Sequence, residues 1–474
     1  MATKVMSAPN RIKLSRQGLN CLSSSGLFRW LSWGILVSTS CSSNIYMTTP
    51  AVLNDSLLAE VRDRFAHIDR CPEQGARVFF ENAGGALTLK SAVKTSENYA
   101  AIPDNQGRDN VGSHELVRVI NQAKADMREF MNAPGGQFFV GESGTELLFR
   151  TIMNACLGTS GVENPNITDT GVVLGSTLEH PATRSACARW ASIAGHEHRL
   201  VKHDNETGSV DASAYADAVT QNTRVATILH TSPVTGMGVD VEAVVKAIRA
   251  VSPQCFIVVD GIQHAAHGGI DLTRYNVDAY VVSPYKVFSR HGYGIAWISD
   301  RLTHLPHDVL QNGPQDNWEL GTRDTGSYAT FSDVVNYFEW LGGKVSNTSD
   351  RREKFLAAST AIQHQEKQLT DAMLTGVDNV KGLVDIPNVQ IIGGIDNPRR
   401  EGLVAFWIDD VDAAKIVSFL NERGVRTHLR KADHYSGNIL DPLNQPGCVR
   451  VSMCHYNTLA EVKEFLLAME EFAN

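Results

Sequence analysis

The sequence has few of the features that mark a disulfide-rich or zinc-binding protein. Its eight cysteines are scattered over 474 residues, and no two of them have the Cys-x-x-Cys spacing. We therefore expect neither a disulfide framework nor a zinc site, and this cysteine usage favours a reducing compartment. Sixteen histidines are present, but pairs such as His264 and His267 or His196 and His198 have no cysteine or carboxylate at ligand spacing, so no metal is expected.

Basic residues are also too few and too dispersed to form a nucleic-acid surface. The formal net charge is −9, and no basic tract follows the first 46 residues. A nucleic-acid partner is therefore not expected.

Acidic residues are missing from the start of the chain, where the first is Asp55. Basic residues and serines occupy that stretch, a composition typical of an organellar presequence. The apolar run 27–37 is too short and too interrupted to span a bilayer, although it could form the core of a signal peptide. Alternatively, translation starts at Met47 and residues 1–46 are a gene-model extension. These patterns predict a cytoplasmic or mitochondrial protein without stable membrane insertion.

The remaining chain is long enough for two domains and a subunit interface, with hydrophobic residues making up 43% of the sequence. Short apolar runs predict buried parallel strands at residues 171–174, 225–229, 256–259, 279–282 and 294–298. Helical patterns lie between several of them, for example at 239–250. This alternation predicts an α/β domain with a doubly wound sheet, whose ligands bind beyond the carboxyl ends of the strands.

The pattern changes near residue 330. Helices are predicted at 331–340, in a second stretch that ends at about residue 374, at 412–423 and at 459–472. Strands are predicted at 402–408 and 448–452. We therefore predict a large domain at 47–330 and a smaller α+β domain at 331–474. Since no low-complexity linker separates them, the small domain is expected to pack on the large one and to close the site.

A lysine and an aspartate stand at the ends of two predicted strands. Lys286 follows the run 279–282, and Asp260 ends the run that begins at Phe256. A lysine amine can form a Schiff base with the aldehyde of pyridoxal phosphate, and a carboxylate can keep the pyridine nitrogen protonated. The alternative is a surface lysine and an ordinary strand-terminal aspartate.

A small-residue turn at residues 142–146 precedes an apolar helical pattern. The free N–H groups and the dipole of such a helix start favour a phosphate. Ser283, at the end of a predicted strand, offers a hydroxyl to the same group. Without a phosphate, the turn is an ordinary helix cap.

Six motifs follow one another along the chain: residues 79–85 (FFENAGG), 143–146 (SGTE), 178–182 (LEHPA), 260–263 (DGIQ), 283–286 (SPYK) and 450–452 (RVS). In this order the chain resembles the class V aminotransferases from about residue 77 to the C-terminus. That group includes cysteine desulfurases, selenocysteine lyases, kynureninases and isopenicillin N epimerases. The nearest resemblance is to cysteine desulfurase-like proteins. It implies a pyridoxal phosphate enzyme of fold type I.

The resemblance also implies roles for individual residues. Lys286 would be the Schiff-base lysine and the proton shuttle, and Asp260 would pair with the pyridine nitrogen. Gln263 would bind the ring hydroxyl, and His180 would stack on the ring. The alternative for His180 is a capping or core histidine.

Further residues carry the remaining implied contacts. Gly144, Thr145 and Ser283 would bind the phosphate. Gly321 and Thr322 match a segment that reaches the phosphate from the neighbouring subunit, which implies a homodimer with shared active sites.

The substrate contacts implied by the resemblance involve two motifs. Arg450 would clamp the α-carboxylate of an amino acid substrate through its bidentate fork, and Asn82 lies in the motif expected at the substrate. The alternative for Arg450 is a charge on a surface strand.

Three departures from the family pattern concern the reaction. The stretch 425–437, where desulfurases carry a nucleophilic cysteine, contains none, and Cys448 and Cys454 are better explained as small buried thiols. Pro233 replaces the usual asparagine after His-x-Ser, and Tyr285 precedes the lysine where histidine is common. We favour a lyase or a desulfurase-like reaction. An aminotransferase, an epimerase and a non-catalytic family member are the alternatives.

Overall fold

The structure is a computed structural model that describes residues 53–474 apart from residue 323. The predicted presequence or extension at 1–46 lies outside the described residues. Among the helices in the described range, none has the length and apolar character needed to cross a membrane.

The helices of the described chain are α1 (Asp55–Asp63), α2 (Lys90–Ala100), α3 (Val111–Phe130), α4 (Gly144–Gly158), α5 (Pro181–Ala194), α6 (Ala212–Ala218), α7 (Val241–Val251), α8 (Leu272–Tyr275), α9 (Asp300–Thr303), α10 (Thr325–Val345), α11 (Arg351–Thr375), α12 (Ala413–Glu422), α13 (Gly437–Leu440) and α14 (Leu459–Ala473). Short 3-10 turns lie at Asn82–Gly84, His264–Ala266, Pro284–Lys286, Leu383–Asp385 and Asp441–Leu443.

The strands are β1 (Arg70–Cys71), β2 (Gly75–Ala76), β3 (Val78–Phe79), β4 (Gln137–Gly141), β5 (Val172–Ser176), β6 (Glu197–Val201), β7 (Thr223–Leu229), β8 (Phe256–Asp260), β9 (Ala279–Val282), β10 (Gly294–Ile298), β11 (Gly376–Val377), β12 (Val380–Lys381), β13 (Val389–Ile391), β14 (Leu403–Ile408), β15 (Val425–Arg426), β16 (His428–Lys431) and β17 (Gly447–Ser452).

A seven-stranded sheet with the order β4-β10-β9-β8-β7-β5-β6 forms the large part of the molecule. Strands β9, β8, β7 and β5 pair in parallel, as predicted, and β6, which the sequence did not indicate, adds a further parallel strand beside β5. The prediction was wrong for residues 294–298, because β10 runs antiparallel to β9. Only residues 283–293 connect the two strands, and that connection has no crossover helix to return the chain to a parallel start.

Both faces of this sheet are covered, which explains why its strands are continuous apolar runs. Along β8, Ile257 and Val259 pack into one hydrophobic cluster, while Phe256 and Val258 pack into another on the opposite face. Successive side chains of a strand point to opposite faces, so both faces of β8 are dry. The predicted α/β class is confirmed.

A four-stranded antiparallel sheet with the order β13-β14-β17-β16 follows in the C-terminal part. One face packs with α12 and α14 through residues such as Val404 and Val451. The other face carries Leu403, Ala405 and Cys448, which pack with Ala83 from the turn after β3. This second face therefore packs against the 79–85 motif.

Helices α10 and α11 connect the two sheets. Phe331 and Phe338 of α10 belong to a core of the large sheet, whereas Leu369 and Met373 near the end of α11 belong to the core of the small sheet. The domain boundary at residue 330 stays a prediction.

Several of the elements that carry the candidate site end at one edge of the large sheet. The strands β5, β7, β8 and β9 are parallel, so their carboxyl ends lie at one edge of the large sheet. Ser452, at the end of β17, hydrogen-bonds through its backbone N–H to the carbonyl of Phe80 at 2.8 Å. The small sheet is thereby tied to the segment that leads into the 3-10 turn at Asn82.

Candidate active site

A cavity at the carboxyl edge of the large sheet holds most of the predicted site residues. Its lining is Thr145, His180, Leu229, Pro233, Asp260, Ile262, Gln263, Ser283, Tyr285 and Lys286.

Lys286 is placed by the 3-10 turn that follows β9. Phe288, two residues on, has a φ of 68° and is buried, so packing holds this bulky residue in a left-handed conformation that it would otherwise avoid. The Lys286 Nζ donates a hydrogen bond to Gln263 Oε1 at 3.2 Å. Burial lowers the pKa of Lys286 to about 7, and the positive charge of Arg450 adds to this effect. A substantial part of this amine is therefore neutral near neutral pH, as a nucleophile or base requires.

Asp260 ends β8 with its carboxylate buried. Its Oδ1 accepts from the backbone N–H of Ile262 at 3.1 Å, and its Oδ2 accepts from Thr183 at 3.3 Å. Burial raises the pKa of Asp260, and the Ile262 N–H and the charge of Lys286 counter this in part. Within the described chain the carboxylate has no ion-pair partner, so a cationic N–H in the cavity would stabilise it.

His180 caps α5 and lines the cavity at the same time. Its Nδ1 accepts from the backbone N–H of Ala182 at 3.2 Å, so the capping alternative holds together with the cavity position. Burial lowers the pKa of His180 to about 3, helped by the charges of Lys286 and Arg430. The ring is therefore neutral, and with Nδ1 accepting, Nε2 carries the proton.

The start of α4 forms a close-fitting cradle. A Cβ atom at Gly144 would lie 2.4 Å from Ser283 Oγ and 2.6 Å from Ile262 Cδ1. A Cβ at Gly294 of β10 would lie 2.6 Å from the Gly144 nitrogen, so this glycine lets the sheet approach the helix start. Thr145 and Ser283 face the cavity here, where the unpaired N–H groups of a 15-residue helix begin.

A buried polar chain that the sequence did not reveal lies behind Gln263. The Nε2 atoms of Gln263 and His267 are 3.2 Å apart, and His267 Nδ1 lies 2.8 Å from Glu366 Oε2 on α11. The negative charge of Glu366 raises the pKa of His267 against the effect of burial. His267 thus fixes the amide of Gln263 through a partner almost a hundred residues away, which local spacing could not indicate.

The same cluster brings a possible metal-ligand set together. Ligand atoms of His267, Glu366 and Cys454 lie within 4.8 Å of one another. Sequence spacing around His267 had shown no such cysteine or carboxylate. In the structure, His267 and Glu366 use ligand atoms to hydrogen-bond to each other.

Arg450 is buried on β17, with 2% of its surface exposed, rather than on a surface strand. Its Nη1 donates to the carbonyl of Pro233 at 2.9 Å, and its Nε has no hydrogen-bond partner. Burial lowers the pKa of Arg450 to about 9. The proline that replaces the family's asparagine therefore positions this arginine through its carbonyl oxygen.

Gly144 and Arg450 do not line the cavity themselves but adjoin its lining residues Ser283 and Pro233, whereas two other groups of predicted residues are not brought to the cavity. Asn82 is buried and donates to the carbonyl of Ser452 at 2.8 Å, while its Oδ1 accepts from Tyr456, so its amide joins chain segments. Gly321 and Thr322 are exposed and absent from the cavity lining. The roles of these residues stay predictions.

The cysteines of the C-terminal part are enclosed. Cys448 and Cys454 are buried, and burial raises the pKa of both thiols. Cys71, on β1, is partly exposed, and its pKa is lowered by hydrogen bonds from the backbone of Gln74 and Glu73. It does not line the cavity.

The family model described as Aminotransferase class-V matches residues 78–465. The chain belongs to the class V aminotransferase family. The match includes all six motifs quoted above and every residue that lines the cavity, and it ends within α14.

Two similar proteins agree with the predicted placement. A cysteine desulfurase-like protein of Aspergillus flavus is 26% identical over 417 residues, covering 84% of this chain and 87% of the relative. An aminotransferase-like protein of Gibberella zeae is 23% identical over 429 residues, covering 87% and 98%. The predicted resemblance to cysteine desulfurase-like proteins is confirmed.

A solved cysteine desulfurase of Thermococcus onnurineus, in its apo form, superposes with a TM-score of 0.69 at 19% identity. The superposition covers 84% of this chain and 94% of that chain. At this identity the likeness concerns the fold, and it supports the predicted fold type.

Proposed function

We propose that the protein is a pyridoxal phosphate enzyme that acts on an amino acid through Lys286, with lyase or desulfurase-like chemistry. The observation that carries the proposal is the partly buried Lys286 amine, which shares one cavity with Asp260 and His180 and has its pKa lowered to about 7. Family membership supports the choice of cofactor.

The residues of the cavity fit this cofactor. Within the described chain no cation lies at ion-pair distance from the Asp260 carboxylate, whose pKa the charge of Lys286 lowers only in part, and a protonated ring nitrogen would supply a direct partner. The Gly144 cradle beside Ser283 fits a phosphate at the start of α4. When bound, pyridoxal phosphate acts as an electron sink for bonds at the substrate Cα.

The protein's own groups would then position the substrate and move its proton. The planar guanidinium of Arg450 would hold the α-carboxylate, since its buried Nε has no other partner. The neutral amine of Lys286 would accept the proton from the substrate Cα. The His180 ring, at one face of the cavity, would limit movement of the bound cofactor ring. Arg450 is buried, and Lys286 and His180 are partly buried, which limits the access of water to these groups.

The burial of the C-terminal thiols favours the interpretation as a lyase over that as a persulfide-forming desulfurase. A desulfurase of the latter kind needs a thiolate that reaches the substrate sulfur, and burial holds Cys448 and Cys454 in the thiol form. Elimination of a side-chain group needs no thiolate, because Lys286 would take the proton from Cα and the group would leave Cβ with the electron pair of the broken bond.

The reaction is tested with an amino-acid panel on the holoenzyme. Sulfide, pyruvate and other keto acids are assayed separately, together with the absorbance spectrum of the protein. We expect pyruvate or sulfide to form without any added keto acid to accept the amino group. Keto acid formed only with an amino acceptor would identify an aminotransferase instead.

Replacement of both buried thiols should leave the reaction intact. We expect the Cys448→Ala/Cys454→Ala protein to retain turnover within about a factor of three, because neither thiol touches the cavity. Turnover is measured beside the melting temperature, since two buried side chains are shortened. A separate Cys71→Ala protein examines the partly exposed thiol.

Two outcomes would contradict the lyase assignment. One is loss of sulfide release from cysteine in the double variant while the folded protein still binds cysteine. The other is the same loss in the Cys71→Ala protein. Either would identify a nucleophilic thiol and therefore a desulfurase.

The phosphate cradle gives a further prediction. Gly144→Ala places a methyl group 2.4 Å from Ser283 Oγ, so the helix start must move away from Ser283. We expect pyridoxal phosphate affinity to fall on the order of tenfold or more, measured by fluorescence titration of the apoprotein. Gly343→Ala on α10 is the control, because a Cβ there meets nothing within 4 Å. Equal affinity in the two variants would place the phosphate elsewhere.

A further inference from the structure

Two arginines share the face of the small sheet that is turned to the cavity. In the antiparallel pairing of β16 with β17, Arg430 is opposite Cys448 and His428 is opposite Arg450. Opposite residues project from one face, as do residues two apart along a strand, so Arg430 and Arg450 lie on the same face. Diagonal neighbours of this kind have a spacing of about 7–8 Å, within reach of long side chains.

Neither guanidinium has an acidic partner. Across residues 53–474 without 323, no carboxylate lies at ion-pair distance from Arg430 or Arg450. Glu81, the acid beside Arg450, is already held by Arg426 and His428 at 2.9 Å each. Arg430 donates only to neutral atoms, Ser436 Oγ at 2.7 Å and the Tyr435 carbonyl at 3.5 Å.

The charge of Arg430 acts on the cavity. It contributes, after burial, to the lowered pKa of Lys286, His180 and Arg450. Asp433 and Glu81 offset these charges only from beyond ion-pair distance, and two neighbouring cations without a direct carboxylate partner are unfavourable in a partly buried site. A single substrate carboxylate on Arg450 would leave Arg430 unpaired.

We propose that the substrate is an amino acid with a second acidic group on its side chain, whose α-carboxylate binds Arg450 and whose side-chain acid binds Arg430. This inference rests on the proposed function. Carboxylate and sulfinate groups share the chemistry that a guanidinium fork recognises. The site would therefore select acidic amino acids against neutral ones of the same length.

Arg430 also has a structural contact that the test must separate from binding. Its Nε bond to Ser436 holds the segment 433–437, in which Tyr435 lies 6.1 Å from the His180 ring. Arg184 fixes the same segment through the His434 carbonyl at 3.1 Å. Ser436→Ala removes the bond to the segment and keeps the charge, so it is the matched control for Arg430→Gln.

The experiment compares succinate with butyrate, which have the same chain length and no amino group to react. Both are titrated into the pyridoxal phosphate-loaded protein by calorimetry. We expect wild type and Ser436→Ala to bind succinate about tenfold or more tightly than butyrate, and Arg430→Gln to bind the two within about twofold. L-Aspartate, L-glutamate and cysteine sulfinate then identify the preferred acid by KM.

The result that overturns the inference is an unchanged succinate preference in Arg430→Gln. An equal loss in Ser436→Ala would also overturn it, since the segment and not the charge would then set the preference. Wild type that holds pyridoxal phosphate yet shows no preference refutes this inference alone. Wild type that binds no pyridoxal phosphate refutes the proposed function and this inference together.

Discussion

Lys286→Ala is expected to abolish covalent attachment of pyridoxal phosphate. In the wild-type protein, borohydride treatment should fix the cofactor to the peptide that contains Lys286, because this partly buried amine lines the cavity and has its pKa lowered to about 7. The variant should lack both the cofactor-modified peptide and the visible absorbance band that borohydride removes. Its turnover should fall on the order of a hundredfold or more, because the proton-transfer group is lost.

An exposed lysine provides the control for this experiment. Lys367 is 68% exposed at its side chain and pairs with Asp371 on the same helix. Lys367→Ala should keep the visible band, the modified peptide and the turnover of the wild type. A Lys286→Ala protein that retains the borohydride-sensitive band would refute the assignment of Lys286.

Local sequence was sufficient to predict the parts of the site that follow single strands. Lys286 and Asp260 come directly after apolar runs, and both line the cavity in which the strands β8 and β9 end. The parallel arrangement brings such positions together whatever the intervening sequence contains. His180 was also predicted at the site, although its capping bond to Ala182 could not be distinguished from a cofactor contact by sequence alone.

Residues contributed by distant segments were not predictable in this way. Glu366 reaches His267 from α11, and Arg430 comes beside Arg450 only through the register of β16 on β17. The stretch 425–437 lacks the cysteine that desulfurases carry there, but its Arg430 contributes, after burial, to the lowered pKa of His180 and Lys286. The direction of β10 was mispredicted for a related reason: burial on both faces gives an apolar run in either direction.

Asp260→Asn should separate cofactor binding from catalysis. The amide keeps an oxygen for the Ile262 N–H and can donate to the Thr183 hydroxyl, so the cavity is expected to keep its shape. It cannot carry the negative charge that stabilises a protonated ring nitrogen. We expect cofactor content near that of the wild type and a loss in kcat on the order of a hundredfold or more.

Stability measurements exclude unfolding as the cause of that loss. Burial raises the pKa of Asp260, so a neutral amide removes an unfavourable buried charge and the cofactor-free variant should melt no lower than the wild type. Asp278 is the contrasting control: it is equally buried, but it pairs with Arg249 and Arg301 at 3.0 and 2.7 Å. Asp278→Asn breaks both pairs and should lower the melting temperature with little change in kcat, because it precedes β9, at the strand end opposite the cavity. Wild-type turnover in Asp260→Asn would show that another acid serves the ring nitrogen.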